Sequence, residues 1–243
     1  MAIILSQNYP MKLTWCGLDS LKKLLKQPCV LCGKYSTQAI CLECDSQLSV
    51  NNKRCYGCGI SLEKEVALDY CGKCLNSSLS FDRVFVVYDY CIGIRKLIHL
   101  FKYKQNLAIG RFFASKLFTN LQDLNCKYDA IIPMPLHKKR LQRRGFNQVV
   151  ELLFFINKKS LVDSLSCIRI KKTQELNLLN SQERQKEMKE AFKVVKNINY
   201  KSILIVDDVM TTTASANELA KEILKSYGKD KPKIDILVLA RTM

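Results

Sequence analysis

Hydrophobic and polar positions change their rhythm near residue 80. Downstream, Val84–Tyr88, Ala130–Met134, Ile203–Val206 and Ile234–Leu239 are apolar runs without alternation, the pattern of strands buried on both faces. Between them, apolar residues recur at three- and four-residue spacing. This predicts helices over 92–104, with Leu97, Ile98 and Phe101 on one face, and over 107–122, with Phe112, Phe113 and Leu117. Two further helices are predicted over 146–158 and 215–227, the second closed by Gly228. The expected fold class is therefore α/β, an open and mostly parallel sheet flanked by helices and joined by right-handed crossovers. Upstream, Leu18, Leu21, Leu24 and Leu25 predict a short amphipathic helix over 12–27 that packs on this body.

The stretch between those two parts has too little apolar material for a core of its own. It carries four Cys-x-x-Cys pairs instead: Cys29/Cys32, Cys41/Cys44, Cys55/Cys58 and Cys71/Cys74. Each pair places two thiolates on one tight turn, half of a tetrahedral site, so eight thiolates make two closed four-sulfur sites with zinc as the default occupant. Spacing leaves the pairing open, sequential or interleaved. Gly33 and Gly59 follow the second cysteine of two pairs, where a positive φ turns amides toward sulfur. A disulfide framework would require an oxidising compartment and no such repeated pairs. Cys16, Cys91, Cys126 and Cys167 stand alone and read as reduced thiols. The expected organisation is a helical segment over 1–28, a double zinc-ribbon-like module over 29–78 ending at Asn76-Ser77-Ser78, and an α/β domain over 79–243.

Met1–Leu5 lacks the charged and apolar regions of a signal peptide, Met11 offers a second start, and no apolar run reaches the ~20 residues that span a bilayer. A reducing cytoplasm is the expected location, without membrane insertion. The formal net charge of +17 over 243 residues points to an anionic partner. Two zinc ions on eight thiolates bring it to about +13.

Ile203-Leu204-Ile205-Val206-Asp207-Asp208 leads into Val209-Met210-Thr211-Thr212-Thr213-Ala214-Ser215, which runs strand, acidic pair, hydroxyl-rich loop, helix. Ligands of open α/β sheets bind at the carboxyl ends of strands, and a helix N-terminus with hydroxyls suits a phosphate monoester. Two carboxylates would repel that phosphate, so Asp207 and Asp208 are better partners for ribose hydroxyls, or for Mg²⁺ through water. The loop reads as a site for a phosphorylated sugar. The plainer alternative is that Thr213 or Ser215 only caps the helix.

His137-Lys138-Lys139-Arg140-Leu141-Gln142-Arg143-Arg144 gathers five cations on what reads as one loop, with Phe146 beside it. It reads as a clamp for pyrophosphate, as a track for single-stranded nucleic acid with Phe146 as a stacking platform, or as a solvated loop over a core Phe146. Nothing pairs His137 with a nucleophile, and His99 is expected in the core, so no catalytic histidine is assigned.

Asp207-Asp208 and the threonine loop resemble the phosphoribosyl pyrophosphate motif of type I phosphoribosyltransferases. Pro133-Met134-Pro135-Leu136-His137-Lys138-Lys139-Arg140 and Arg143-Arg144-Gly145-Phe146-Asn147-Gln148 look like the signature of the ComF family. The four cysteine pairs and Phe101-Lys102-Tyr103 fit that family too. The resemblance, from Cys29 to Thr242, implies a type I phosphoribosyltransferase-like domain behind zinc ribbons. It implies that Asp207 and Asp208 hold the ribose 2- and 3-hydroxyls, and that Thr211, Thr212, Thr213 and Ser215 hold the 5-phosphate. Lys138, Arg140 and Arg144 become candidate pyrophosphate contacts, with Arg143 a further contact for pyrophosphate or DNA. The segment from Arg169 to Phe192 matches a hood over the site, with Arg169, Thr173, Leu179, Arg184, Ala191 and Phe192 in place. Three positions depart from the family pattern: Thr213 stands for glycine, Leu176 for glutamine and Glu187 for asparagine.

The resemblance implies a cytoplasmic protein of DNA uptake in natural transformation. It would bind phosphoribosyl pyrophosphate with Mg²⁺ as well as single-stranded DNA, beside other DNA-uptake proteins. The alternatives are an active phosphoribosyltransferase that joins ribose 5-phosphate to a nitrogen nucleophile, and a zinc-ribbon scaffold whose transferase domain is only structural. No base-recognition motif supports the enzyme.

Overall fold

A computed structural model describes residues 26–48, 53–63, 69–123, 127–156, 161–172 and 181–242. The helix expected over 12–27 lies outside them except at its end, where Gln27 is in a strand; Cys16, Cys126, Thr173, Leu176 and Leu179 also lie outside.

The cysteine-rich part is built from turns. Strands β1 (Gln27–Pro28) and β2 (Tyr35–Ser36) pair antiparallel, and helices α1 (Leu42–Gln47) and α2 (Gly72–Leu75) each start on a cysteine, Cys41 and Cys71. Downstream come β3 (Arg83–Asp89), α3 (Ile92–Lys104), α4 (Leu107–Asp123), β4 (Ala130–Pro133), α5 (Lys138–Arg144) and α6 (Gln148–Phe155). The chain then continues through β5 (Cys167–Arg169), α7 (Ser181–Met188), β6 (Phe192–Val194), β7 (Ser202–Met210), α8 (Ala214–Lys225) and β8 (Lys233–Arg241).

Four strands form an all-parallel sheet in the order β3-β8-β7-β4, while β5 and β6 make a separate antiparallel pair. The predicted α/β architecture is what the chain adopts. Side chains alternate across the sheet, so β7 feeds two apolar layers. Leu204 and Val206 pack with Leu97, Phe101, Phe113 and Leu152 from α3, α4 and α6. Ile203 and Ile205 pack with Leu219 and Ile223 from α8. Phe113 is fully buried, and its truncation to alanine would cost about 3–5 kcal/mol.

The basic stretch and His99 both differ from expectation. The basic stretch is a helix, α5: His137 Nδ1 accepts from the Lys139 amide at 3.2 Å, and Gly145 ends the helix at φ 84°. His99 is exposed, because the buried face of α3 is Ile94, Leu97, Ile98 and Phe101, and His99 falls beside that stripe.

Both cysteine segments pack on the α/β body. Cys29, Ile40 and Leu48 join the core layer of α3 and α4, and Lys116 pairs with Asp45 at 2.6 Å. On the outer edge of β3, the Val84 amide donates to the Tyr56 carbonyl at 2.8 Å. A Cβ on Gly59 would lie 2.6 Å from Val86 Cγ2, and its φ is 70°, so only glycine fits this contact. Arg54 and Asp89 form a buried ion pair at 3.0 Å across the same contact.

Candidate functional site

The eight cysteines form two clusters. Cys29, Cys32, Cys41 and Cys44 make one and Cys55, Cys58, Cys71 and Cys74 the other, so the pairs join sequentially. Within each cluster the ligand atoms all lie within 4.8 Å of one another. A tetrahedral zinc with Zn–S near 2.3 Å needs sulfurs about 3.8 Å apart. Cys32 and Cys41 Sγ are 3.7 Å apart, as are Cys58 and Cys71 Sγ. Backbone amides support the sulfurs: Cys41 N donates to Cys29 Sγ at 3.3 Å and Cys71 N to Cys55 Sγ at 3.2 Å. At Cys29, burial opposes ionisation, but the amides of Cys32, Cys41 and Leu31 outweigh it and bring the thiol down to about 6. Its partner Cys44 is pushed up to about 12, first by its hydrogen bond with Cys32 and then by burial. One sulfur holds charge readily and its neighbour resists, which is how thiolates behave when crowded around a shared position. Each cluster could hold a zinc ion.

The second feature is a cleft of about 950 Å³ at the carboxyl end of the sheet. It opens because β7 outlasts β4: Pro133, the last residue of β4, pairs with Val206, and β7 runs on alone beside β8 as far as Met210. Asp207 and Asp208 are the first residues past that end. Alternation sends them to opposite faces. Asp208 lies on the α3 and α6 side, where Lys102 Nζ reaches it at 2.7 Å and Gln148 Nε2 donates to it at 3.0 Å. Asp207 faces the other way, and its Oδ1 accepts from the Asp208 amide at 2.8 Å. Burial first, and then the charge of Asp208, push Asp207 up to about 7, with Lys102 and Arg169 pulling the other way.

The hydroxyl loop closes one side. Thr213 is the N-cap residue of α8 at φ −75°, and it makes no side-chain capping bond. A β-branched residue is unstrained there, and the amides of the first turn have no side-chain cap. Thr211 and Ser215 line the cleft; Thr212 and Thr213 do not. Of the cations expected at the pyrophosphate, Arg140, Arg143 and Arg144 line it, whereas Lys138 is exposed outside. Arg169 enters from β5. Burial and the nearby Arg140 lower its pKa to about 10, against the charges of Asp207 and Glu187. A bridge between His137 and Arg169 joins β5 to the start of α5.

Lys102, Gln148 and the α3 residues Arg95, Lys96 and His99 also belong to the cleft or its contacts, and sequence reasoning gave them no role. Lys102 stood in the quoted Phe101-Lys102-Tyr103 motif, which was the available signal. Phe146 is half-buried with its ring 6.0 Å from that of Phe101, so it belongs with the core rather than on a stacking surface.

No protein-family model matches the chain. Among curated proteins, Competence protein F of Haemophilus influenzae is 30% identical over 212 residues, 83% of this chain and 90% of that protein. The chain belongs to the competence protein F family. DNA utilization protein YhgH of Escherichia coli K12 is 26% identical over 213 residues, covering 84% of this chain and 91% of that protein. Competence protein ComFC of Streptococcus pneumoniae is 23% identical over 222 residues, covering 90% and 96%. Among the described residues of this family member, no helix is long and apolar enough to cross a membrane.

Proposed function

We propose that this protein acts on incoming single-stranded DNA on the cytoplasmic side of natural transformation, and that its cleft binds phosphoribosyl pyrophosphate with Mg²⁺. The observation that carries the reading is the convergence on one cleft of an acidic pair, a hydroxyl loop at a helix start and arginines from three further elements. Thr211, Ser215 and the α8 amides suit a 5-phosphate, with Thr212 and Thr213 contributing backbone. Asp207 and Asp208 suit ribose hydroxyls and the hydration shell of Mg²⁺. Arg140, Arg143 and Arg144 suit pyrophosphate oxygens through paired N–H donors, and the exposed Lys138 suits a DNA phosphate. The relatives named for competence and DNA utilization support the DNA role. Two structural zinc ions hold the module over 29–78, between a leading segment over 1–28 and the phosphoribosyltransferase-like domain over 79–243.

Binding is favoured over turnover by Glu187, whose carboxylate acts on Arg169 beside the cleft. A negative charge there weakens stabilisation of a departing pyrophosphate. Isothermal titration with phosphoribosyl pyrophosphate and Mg²⁺ tests the reading. Binding by the parent and its loss in the Asp207→Asn, Asp208→Asn double variant are expected; equal affinity in both would place the ligand elsewhere.

A further inference from the structure

Helix α3 carries a second feature that neither the sugar phosphate nor the core uses. Its solvent face presents Ile92, Arg95, Lys96, His99 and Tyr103, spaced three, four, seven and eleven residues from Ile92, and all five are exposed and line the cleft. Ile92 is 89% and Tyr103 56% exposed. His99 sits with its ring 4.9 Å from that of Tyr103, and Arg144 of α5 places its guanidinium carbon 5.4 Å from the same ring centre. Tyr103 is thus held by two neighbours while much of it stays open to solvent. Orientation of this kind reduces the entropy lost when a flat ligand stacks on it.

An exposed helix face normally mixes carboxylates with cations. Helices α3 and α5 together carry nine Lys and Arg residues and no carboxylate. That bias of charge stands beside a large aliphatic and an aromatic side chain left open to solvent, Ile92 and Tyr103. We infer that this face is a ledge for single-stranded DNA, on which a base stacks against Tyr103 while adjoining phosphates lie on Arg95 of α3 and Arg143 and Arg144 of α5. The inference rests on the DNA-binding reading above and gives it a location. Aromatic rings interleaved with cations match a single strand, whose base faces are open; in a duplex those faces are already stacked. An acidic peptide would use the cations and leave Tyr103 without a partner. Lys96 ties the ledge to the first cysteine cluster, its Nζ donating to the Val30 carbonyl at 2.7 Å.

The test is fluorescence anisotropy of the zinc-loaded full chain with a labelled thymidine oligonucleotide and a matched strand containing abasic positions. Tyr103→Ala should weaken binding of the intact strand by about 5- to 150-fold, the range for loss of one base–aromatic stack, while Tyr103→Trp retains it. The parent should bind the abasic strand more weakly, and Tyr103→Ala should not distinguish the two strands. Arg95→Glu, elsewhere on the face, should weaken both. Parent protein that binds DNA but treats both strands alike, with Tyr103→Ala and Arg95→Glu binding as tightly, would overturn the ledge and leave the DNA-binding reading standing. Parent protein that binds no single strand at all would remove both.

Discussion

Arg241, at the end of β8, donates through Nε to the carbonyl oxygen of Cys58 at 2.7 Å. The same guanidinium donates through Nη1 to the carbonyls of Met210 at 3.2 Å and Thr211 at 2.9 Å. One buried side chain therefore holds both the turn of the second cysteine cluster and the start of the hydroxyl loop. Met210 is also held by the β7–β8 ladder and by the Thr242 amide, which donates to its carbonyl at 3.1 Å. Arg241→Leu would take this donor from the Cys58 and Thr211 carbonyls, at a cost of about 2–4 kcal/mol. Amide hydrogen exchange should then accelerate over residues 211–215 as well as around Cys58. Confinement of the change to one of the two segments would show that they are not linked.

Metal analysis of chelator-free protein is expected to give two zinc per chain, one for each sulfur cluster. Cys29→Ser and Cys74→Ser should each lose one ion and leave the other, because the two clusters share no ligand. The affected turn should become protease-sensitive, since metal binding there is folding energy. A folded chain without zinc under reducing conditions would refute the assignment.

Asp207 makes stability depend on pH in a defined direction. Its folded pKa, raised to about 7, lies above its unfolded value near 3.8. Between those values the folded chain holds a proton that the unfolded chain releases, so stability falls as pH rises from 4 to 7. Asp207→Asn should therefore stabilise the protein by about 1–3 kcal/mol above pH 7 and have no effect below pH 4, as read from urea midpoints. Mg²⁺-dependent ligand binding should strengthen from pH 6 to pH 8 more steeply in the parent than in the Asn variant, where only the ligand's phosphates titrate. A pH-independent stability difference would show that Asp207 does not titrate in this window.

Salt dependence separates the two faces of α5. Arg143 and Arg144 line the cleft, while Lys138 and Lys139 are exposed, with neither lining it. Arg143→Ala with Arg144→Ala should make the log–log salt slope for single-stranded DNA shallower by about 1.4, at about 0.7 per phosphate contact. The Lys138→Ala, Lys139→Ala pair should change it less. Equal changes would mean that charge counts and position does not.

The four strands of the parallel sheet and helices α3, α4, α6 and α8 are legible because burial writes itself as apolar runs and periodic faces, whereas the short strands β5 and β6 and the polar helix α7 carry no such pattern. Helix α3 begins and ends where its pattern does. Strand β7 extends beyond the apolar run Ile203–Val206, because the acids interrupt that run while Asp207 and Val209 go on pairing with Val238 and Ala240. Helix α5 reads as a loop in the sequence because, with Leu141 as its one aliphatic residue, it has no apolar stripe. Its terminal signals, the His137 cap and Gly145, were local and available. Sequential pairing of the cysteines could not be chosen from spacing, since both arrangements offer two thiolates per turn. The contacts of Asp208 with Lys102 and Gln148 were also out of reach. They join residues far apart in sequence through crossovers whose side-chain register no local pattern records.

The cysteine turn lying along β3 has a consequence beyond holding a metal. A strand at the border of a sheet offers amides and carbonyls to any extended chain that meets it. Here the neighbour is Tyr56, at a turn with scarcely any apolar content of its own, held in shape by whatever the second cluster binds. Stripping or oxidising those sulfurs would bare β3, and copies of the chain would then pair edge to edge and leave solution. A zinc ion at this position would work as a licence for solubility: chains that had not acquired it would remove themselves from the working pool.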